Sequence, residues 1–237
     1  SDIGNWQTAQ VTTFESTFEG ASSFNHDLNG WDTSSVRTLD KTFRNAFNFK
    51  GVISGGDTSA VITMVSTFEG AAYFDTNINS WDVTGVTNLN SCFKGASNFD
   101  KPLSSWSVDN VVSFSSMFSG ASMFDQDVGM WQTSKGTSMS LMFKHATAFD
   151  HDIGNWNVAR VTSFQDMLNG ASTFDHNIGA WATSSATTMK NMFKGATSFN
   201  QNIEPWDTSA VTTMRGMFSG ATSFNQDLAG YSNGWNT

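Results

Sequence analysis

Residues 206–230 read WDTSAVTTMRGMFSGATSFNQDLAG, and residues 181–205, directly before them, read WATSSATTMKNMFKGATSFNQNIEP. Laid one over the other, the two stretches share Trp at position 1, Met at positions 9 and 12, Phe at 13, Ala at 16 and Phe at 19. Moving outward from this pair, the same register holds through units 156–180, 131–155, 106–130, 81–105, 56–80, 31–55 and 6–30 without an insertion or deletion. Residues 1–5 form a partial unit, and 231–237 a remnant. Position 19 is Phe in all nine units, from Phe24 to Phe224, and position 16 is Ala in all nine, from Ala21 to Ala221. Position 13 is Phe in eight units, with Leu168 the exception, and position 1 is Trp in eight, with Gly56 the exception.

A strict period over the whole chain makes each unit one turn of a stack whose apolar columns cover those of its neighbours. Linkers and separate domains are therefore not expected. Within a unit, positions 9, 12, 13 and 16 follow the i, i+3, i+4, i+7 spacing of one helix face, and the usual Gly at position 15 is placed to end that helix. The Phe at 19 and the Ile, Leu or Val at 23 bracket short stretches such as FNQDL, with mostly polar residues alternating between them, as in an extended strand. The fold class predicted is an α/β solenoid, a leucine-rich-repeat-like stack of nine 25-residue coils, each with short strands and a short helix. Columns 6, 9, 12, 13, 16, 19 and 23 are predicted to be buried.

Composition narrows the function classes. Lys and Arg total 12 against 21 Asp and Glu, a formal charge of −9, so nucleic acid is not an expected partner. No apolar run approaches the ~18–20 residues of a membrane span. The first residues, SDIGNWQTAQ, carry neither an initiator Met nor a signal-peptide pattern, which reads as a soluble chain that has been processed or excised. The single cysteine, Cys92, rules out an intrachain disulfide framework. It falls in the position-12 column beside Met and Thr, which reads as a core thiol rather than a nucleophile.

Units such as 206–230 and WDVTGVTNLNSCFKGASNFDKPLSS at 81–105 resemble the 25-residue BspA-like leucine-rich repeat of bacteria and protists, a mycoplasma-type domain of unknown function. The resemblance covers essentially the whole chain. It implies a curved solenoid in a surface or secreted protein serving adhesion or ligand capture, and no particular biochemical activity. Departures are local: Asn45 and His145 replace the position-15 Gly, Lys50 and Val52 replace the polar pair at 20 and 22, and Gly56 replaces the Trp.

The most regular polar feature is an Asx pair at positions 20 and 22, as in Asp125/Asp127, Asp150/Asp152 and Asp175/Asn177. Asp125, Asp127, Asp150, Asp152 and Asp175 are candidate ligands for Ca²⁺; the alternative is that these side chains bond the backbone at turns and between coils. His26, His151 and His176 stand at position 21 between them, where His151 and His176 are candidates to share a transition metal, or simply members of a polar surface column. Thr12, Thr87, Thr137, Thr162, Thr187 and Thr212 share position 7, a lattice suggesting an ice-binding face, or a plain β-propensity preference. The Trp column suits either sugar stacking or core packing. No convergent nucleophile, base and orienter stand out, so the chain reads as a non-enzyme.

The pattern breaks between residues 47 and 73. Phe47, Val52, Ile62, Val65 and Tyr73 occupy outward columns just where the Trp gives way to Gly55-Gly56. They are candidate partner-binding residues if exposed together, or the products of local repacking around a missing indole. The sequence thus predicts an extracellular or cell-surface binding or adhesion module with a protein or glycan partner. The alternative is a structural filament or surface-layer protein assembling end to end, because neither SDIGNW nor GYSNGWNT looks like a polar cap. Calcium-binding and ice-binding repeat proteins stand as distant alternatives.

Overall fold

The computed structural model describes residues 3–228; the 231–237 remnant falls outside them. Each unit lies on the next in parallel register. Single-residue bridges join Thr13 to Thr38, Thr38 to Thr63, Thr63 to Asn88 and so on to Thr188 and Thr213, always 25 residues apart at position 8. These bridges are the only strand pairing among the described residues, and no residue among them is helical. The expectation of an α/β solenoid with a helix and strands in every coil is therefore overturned.

The reason is visible in the backbone. Position 11 adopts the left-handed conformation in all nine units, from Ser16 at φ 56° through Lys41 and Leu141 to Gly216 at 69°, and position 15 does so in all nine from Gly20 to Gly220. Every residue of a right-handed helix needs negative φ, so two left-handed residues four apart forbid one. What forms instead is a run of tight turns. The amides at positions 12, 14, 16 and 19 close back three residues, as in Thr42 to Leu39, Arg44 to Lys41, Ala46 to Phe43 and Phe49 to Ala46. The intervening amides at 9, 11, 13 and 15 leave the unit and donate to the next one, as Leu39, Lys41, Phe43 and Asn45 do to the carbonyls of Thr63, Val65, Thr67 and Glu69. Positions 9, 12, 13 and 16 still point inward, because three-residue turns return a side chain to the same face about as often as a helix does.

The core is continuous along the stack. Within a unit the Phe at 13 stacks on the Phe at 19, with centroids 4.0 Å apart for Phe143 and Phe149. Between units the position-13 rings of Phe93 and Phe118 lie 5.6 Å apart, and the position-19 rings of Phe124 and Phe149 6.1 Å, both within the range of offset stacking. In the middle units the columns at 6, 9, 12, 13, 16, 19 and 23 are buried, together with Trp at position 1. Each indole N–H reaches back across the stack to a position-23 carbonyl 28 residues earlier, as Trp106 does to Ile78 at 3.1 Å and Trp206 to Ile178 at 3.0 Å. That bond satisfies the donor a buried indole would otherwise leave unpaired. The buried indoles are enclosed in this packing and have no free face for a sugar; the exception is Trp6, stacked on Trp31 at 6.1 Å and 57% exposed.

Candidate functional site

The polar columns are built from the same repeat. At position 20 each Asx Oδ1 accepts from the position-20 amide of the following unit: Asp100 from Asp125, Asp125 from Asp150, Asp150 from Asp175 and Asp175 from Asn200, at 2.8–3.3 Å. At position 22 the side chains of Asp127 and Asp152 turn onto their own backbone, accepting from the Gly129 and Gly154 amides at 2.8 Å, while Asp27 accepts from the Val52 amide of the next unit. The five candidate calcium ligands thus hold amides of the chain, in two separate roles. Among the described residues no group of three or more His, Cys, Asp or Glu is placed to hold a metal ion.

Position 21 behaves as one column whatever residue stands there. Lys101 Nζ reaches Asp75 at 2.6 Å, Gln126 donates to Asp100 at 2.7 Å, and Gln201 donates to Asp175 at 2.9 Å. His151 Nε2 lies 3.0 Å from the Asp125 carbonyl, and His176 Nε2 2.8 Å from that of Asp150. A ring nitrogen facing a carbonyl oxygen must carry the proton and donate, which removes it as a metal ligand. The two histidines therefore serve different aspartates one unit apart.

In the position-7 lattice, Thr162, Thr187 and Thr212 donate their hydroxyls to the position-7 carbonyl of the preceding unit at 3.0–3.3 Å. Those hydroxyls are spent within the fold. Ile62 and Val112, both exposed, interrupt the row.

Cys92 is fully buried, and burial, opposed by a hydrogen bond with Thr67, pushes its thiol far above the ordinary range. A thiol so disfavoured as thiolate is no nucleophile.

Two clusters escape the sequence reading. At position 14, Glu19, Arg44, Glu69 and Lys94 alternate in sign up the stack, with ion pairs of 3.1, 3.6 and 2.8 Å. Burial works to raise the Glu69 carboxyl, and its hydrogen bonds with Lys94 and Ser66 and the charges of Lys94 and Arg44 overcome this to hold it below its ordinary value. The signal was the alternating charge at a spacing of 25. The second is a shallow basic patch of Lys190, Lys194 and Arg215 near the last unit.

The break at 47–73 divides in two. Phe47 and Tyr73 meet edge to face at 5.1 Å, Lys50 Nζ sits 4.9 Å over the Tyr73 ring, and both aromatics are exposed. Tyr73 and Lys50 share a surface depression with Asp75, Thr76, Asn98 and Met123, the last 55% exposed. Val52 is exposed at position 22; Ile62 stands exposed in the position-7 row, and Val65 is half-buried at position 10, where its amide donates to Asp40. The structure joins Phe47 with Tyr73 and sets Ile62 and Val65 in different columns. Beneath the break lies an apolar cavity of about 50 Å³ where the Trp at 56 is missing.

Comparison with known families finds one whose pattern covers this entire chain: it is described as "Mycoplasma protein of unknown function, DUF285" and matches over residues 1–81, 62–178 and 137–237. The chain belongs to the DUF285 family. Three overlapping matches on one chain are what a repeat protein gives, in agreement with the 25-residue register of the bridges. No curated protein matches this DUF285 chain. No solved structure matches it either. Among the described residues no helix is long and apolar enough to cross a membrane.

Proposed function

We propose that this DUF285 chain is a non-enzymatic binding module that acts outside the cell or on its surface, with a protein or glycan as partner. The finer kinship with BspA-like surface proteins, read from the sequence, is part of the same proposal. The observation that carries it is the exposed Phe47–Tyr73 pair with Lys50 over the tyrosine ring. Along the position-7, position-20 and position-21 columns polar side chains bond the neighbouring unit, whereas here two large aromatic rings and a cation face outward beside a depression. Clustered exposed aromatics are how partner sites are marked on otherwise polar surfaces, and aromatic faces suit both protein side chains and sugar C–H groups. The test is binding of the labelled chain to glycan arrays and to immobilised extracellular-matrix proteins. A subset should bind, and Phe47→Ala with Tyr73→Ala should weaken that binding at least tenfold. Retention of full binding by the double variant, or no binding by the parent chain, overturns the reading.

A second reading, an end-to-end assembling structural protein, is favoured by one observation. Trp6 presents a 57% exposed indole at one end of the Trp column, and Phe218 and Phe224 are only half-buried near the other. Sedimentation across a hundredfold concentration range tests it; growth of long species supports assembly, and a constant monomer excludes it.

A further inference from the structure

Seven indoles in this fold do the same two things: they fill the space between neighbouring units and donate to a position-23 carbonyl 28 residues earlier. Unit 56–80 has Gly56 at that place, so the position-23 carbonyl of Leu28 receives the Trp31 amide at 3.0 Å but has no indole to serve it. The corresponding Ile78 carbonyl accepts both the Trp81 amide and the Trp106 indole. Where the missing ring would lie, the structure has the apolar cavity of about 50 Å³, walled by Leu28, Trp31, Val36, Ile53, Val61 and Trp81. All six are buried.

We propose that this cavity is a binding site for a small planar N–H heteroaromatic of the indole class. The cavity walls supply an apolar, aromatic-lined slot on the ring faces, and the Leu28 carbonyl supplies the acceptor that fixes the ring's orientation. The cavity is smaller than an indole, so part of the ligand occupies the mouth at Gly56, which lines it and is not buried; the other units pass their Trp side chain from the backbone through this place.

The test uses the intact chain with indole itself. Indole should raise the melting temperature in a saturable manner, because it binds only the folded state. Indene, the same shape without an N–H, should bind about threefold to tenfold more weakly, the loss of one hydrogen bond to a buried carbonyl. Gly56→Trp should raise the melting temperature on its own and abolish the indole response. A Cβ at 56 meets the Thr33 hydroxyl at 2.8 Å, but Thr58, Thr133 and Thr183 hold the same position beside Trp81, Trp156 and Trp206, so a small shift of Thr33 suffices. Should that variant fail to fold, NMR contacts from bound indole to the methyl groups of Leu28 and Ile53 in the unaltered chain decide the matter. No stabilisation by indole, an undiminished response in folded Gly56→Trp, or contacts confined to other residues would each overturn the proposal.

Discussion

Position 15 shows what a single residue contributes. Seven units place Gly there, and Asn45 and His145 take the same left-handed conformation, both at φ 58°. A side chain in that region costs roughly 1–2 kcal/mol relative to Gly, partly offset by the greater freedom Gly gives the unfolded chain. His145 is exposed and its substitution opens no cavity. His145→Gly should therefore stabilise the protein by about 0.5–1 kcal/mol, measured as a rise in the urea midpoint at unchanged m-value. The acidic residues at position 2 give a second residue-level expectation. Asp32 accepts from the hydroxyl and amide of Ser34, Asp82 from those of Thr84, and Asp207 from those of Ser209; Asp57 accepts from the amide of Ser59 first and then its hydroxyl. These bonds hold all four carboxyls below their ordinary value of 3.8 in the folded state. A folded-state value below the unfolded one means that the unfolded chain takes up protons first as pH falls. The stabilisation is complete above about pH 4–5 and is lost as pH descends through the lowered values. Urea midpoints taken between pH 7 and pH 2.5 should fall across that acid range, and less steeply in the variant with all four aspartates changed to Asn.

At the scale of the repeating element, the decisive question is what the position-20 and position-22 oxygens hold. Asp125 Oδ1 accepts the Asp150 amide at 3.0 Å, a bond an amide oxygen makes as well as a carboxylate. Asn200 occupies the same column and accepts the Asn225 amide at 2.9 Å. Asp125→Asn should accordingly change stability by less than about 0.5 kcal/mol, while Asp125→Ala should cost about 1 kcal/mol. Millimolar Ca²⁺ or EDTA should leave the melting temperature of all three proteins in place, since a ligand specific for the folded state would raise it. A calcium-dependent rise lost in Asp125→Ala would instead assign these oxygens to the metal. This element also shows where the sequence could and could not be read. Phe at 13 and 19, Ala at 16 and the period of 25 mark the stacked core, because only a repeated inward column needs the same large ring every 25 residues. The spacing 9, 12, 13, 16 that predicts a helix is also produced by consecutive three-residue turns. The contrary signal lies at position 11, off that helix's face but inside its span, where Ser16, Ser66, Ser91, Ser116, Asp166, Asn191 and Gly216 are small or turn-forming residues. In the candidate site, the disturbed stretch announces itself through Gly56 and Phe47. The contact of Phe47 with Tyr73, one unit and one position away, and the placing of Ile62 in another column depend on how each coil turns, and that was the misread part.

The whole molecule behaves as one bonded stack, and Cys92 reports on it. The thiol sits in the fourth unit, fully buried between Thr67 and Met117 in the position-12 column. Reaching it requires neighbouring units to part, so at pH 8 a disulfide reagent such as Ellman's should react with it only as fast as the core opens. Labelling should be negligible over hours in buffer, complete within seconds in 8 M urea, and its midpoint in intermediate urea should coincide with loss of Trp fluorescence. Rapid labelling of the native chain would mean that the fourth unit opens on its own.

The rows of backbone bonds also give this molecule a direction. In most interior units four amides, at positions 9, 11, 13 and 15, donate to the later unit, while those at 7, 18 and 20 donate to the earlier one, the last to an Asx side chain, as Phe114, Ser116, Phe118 and Gly120 do against Val112, Met123 and Asp125. Peptide dipoles aligned along an axis add, so the one uncompensated row per unit polarises the stack, far more weakly than a helix is polarised. Any face across the stack on its early side carries more carbonyl oxygens than N–H groups, and any face on its late side the reverse. A second copy prolongs all of those rows together only by following in the same sense, early face to late face. A contact that prolongs all the rows is consequently heterologous, and repetition of a heterologous contact runs on as an open fibre unless its rotation closes a ring.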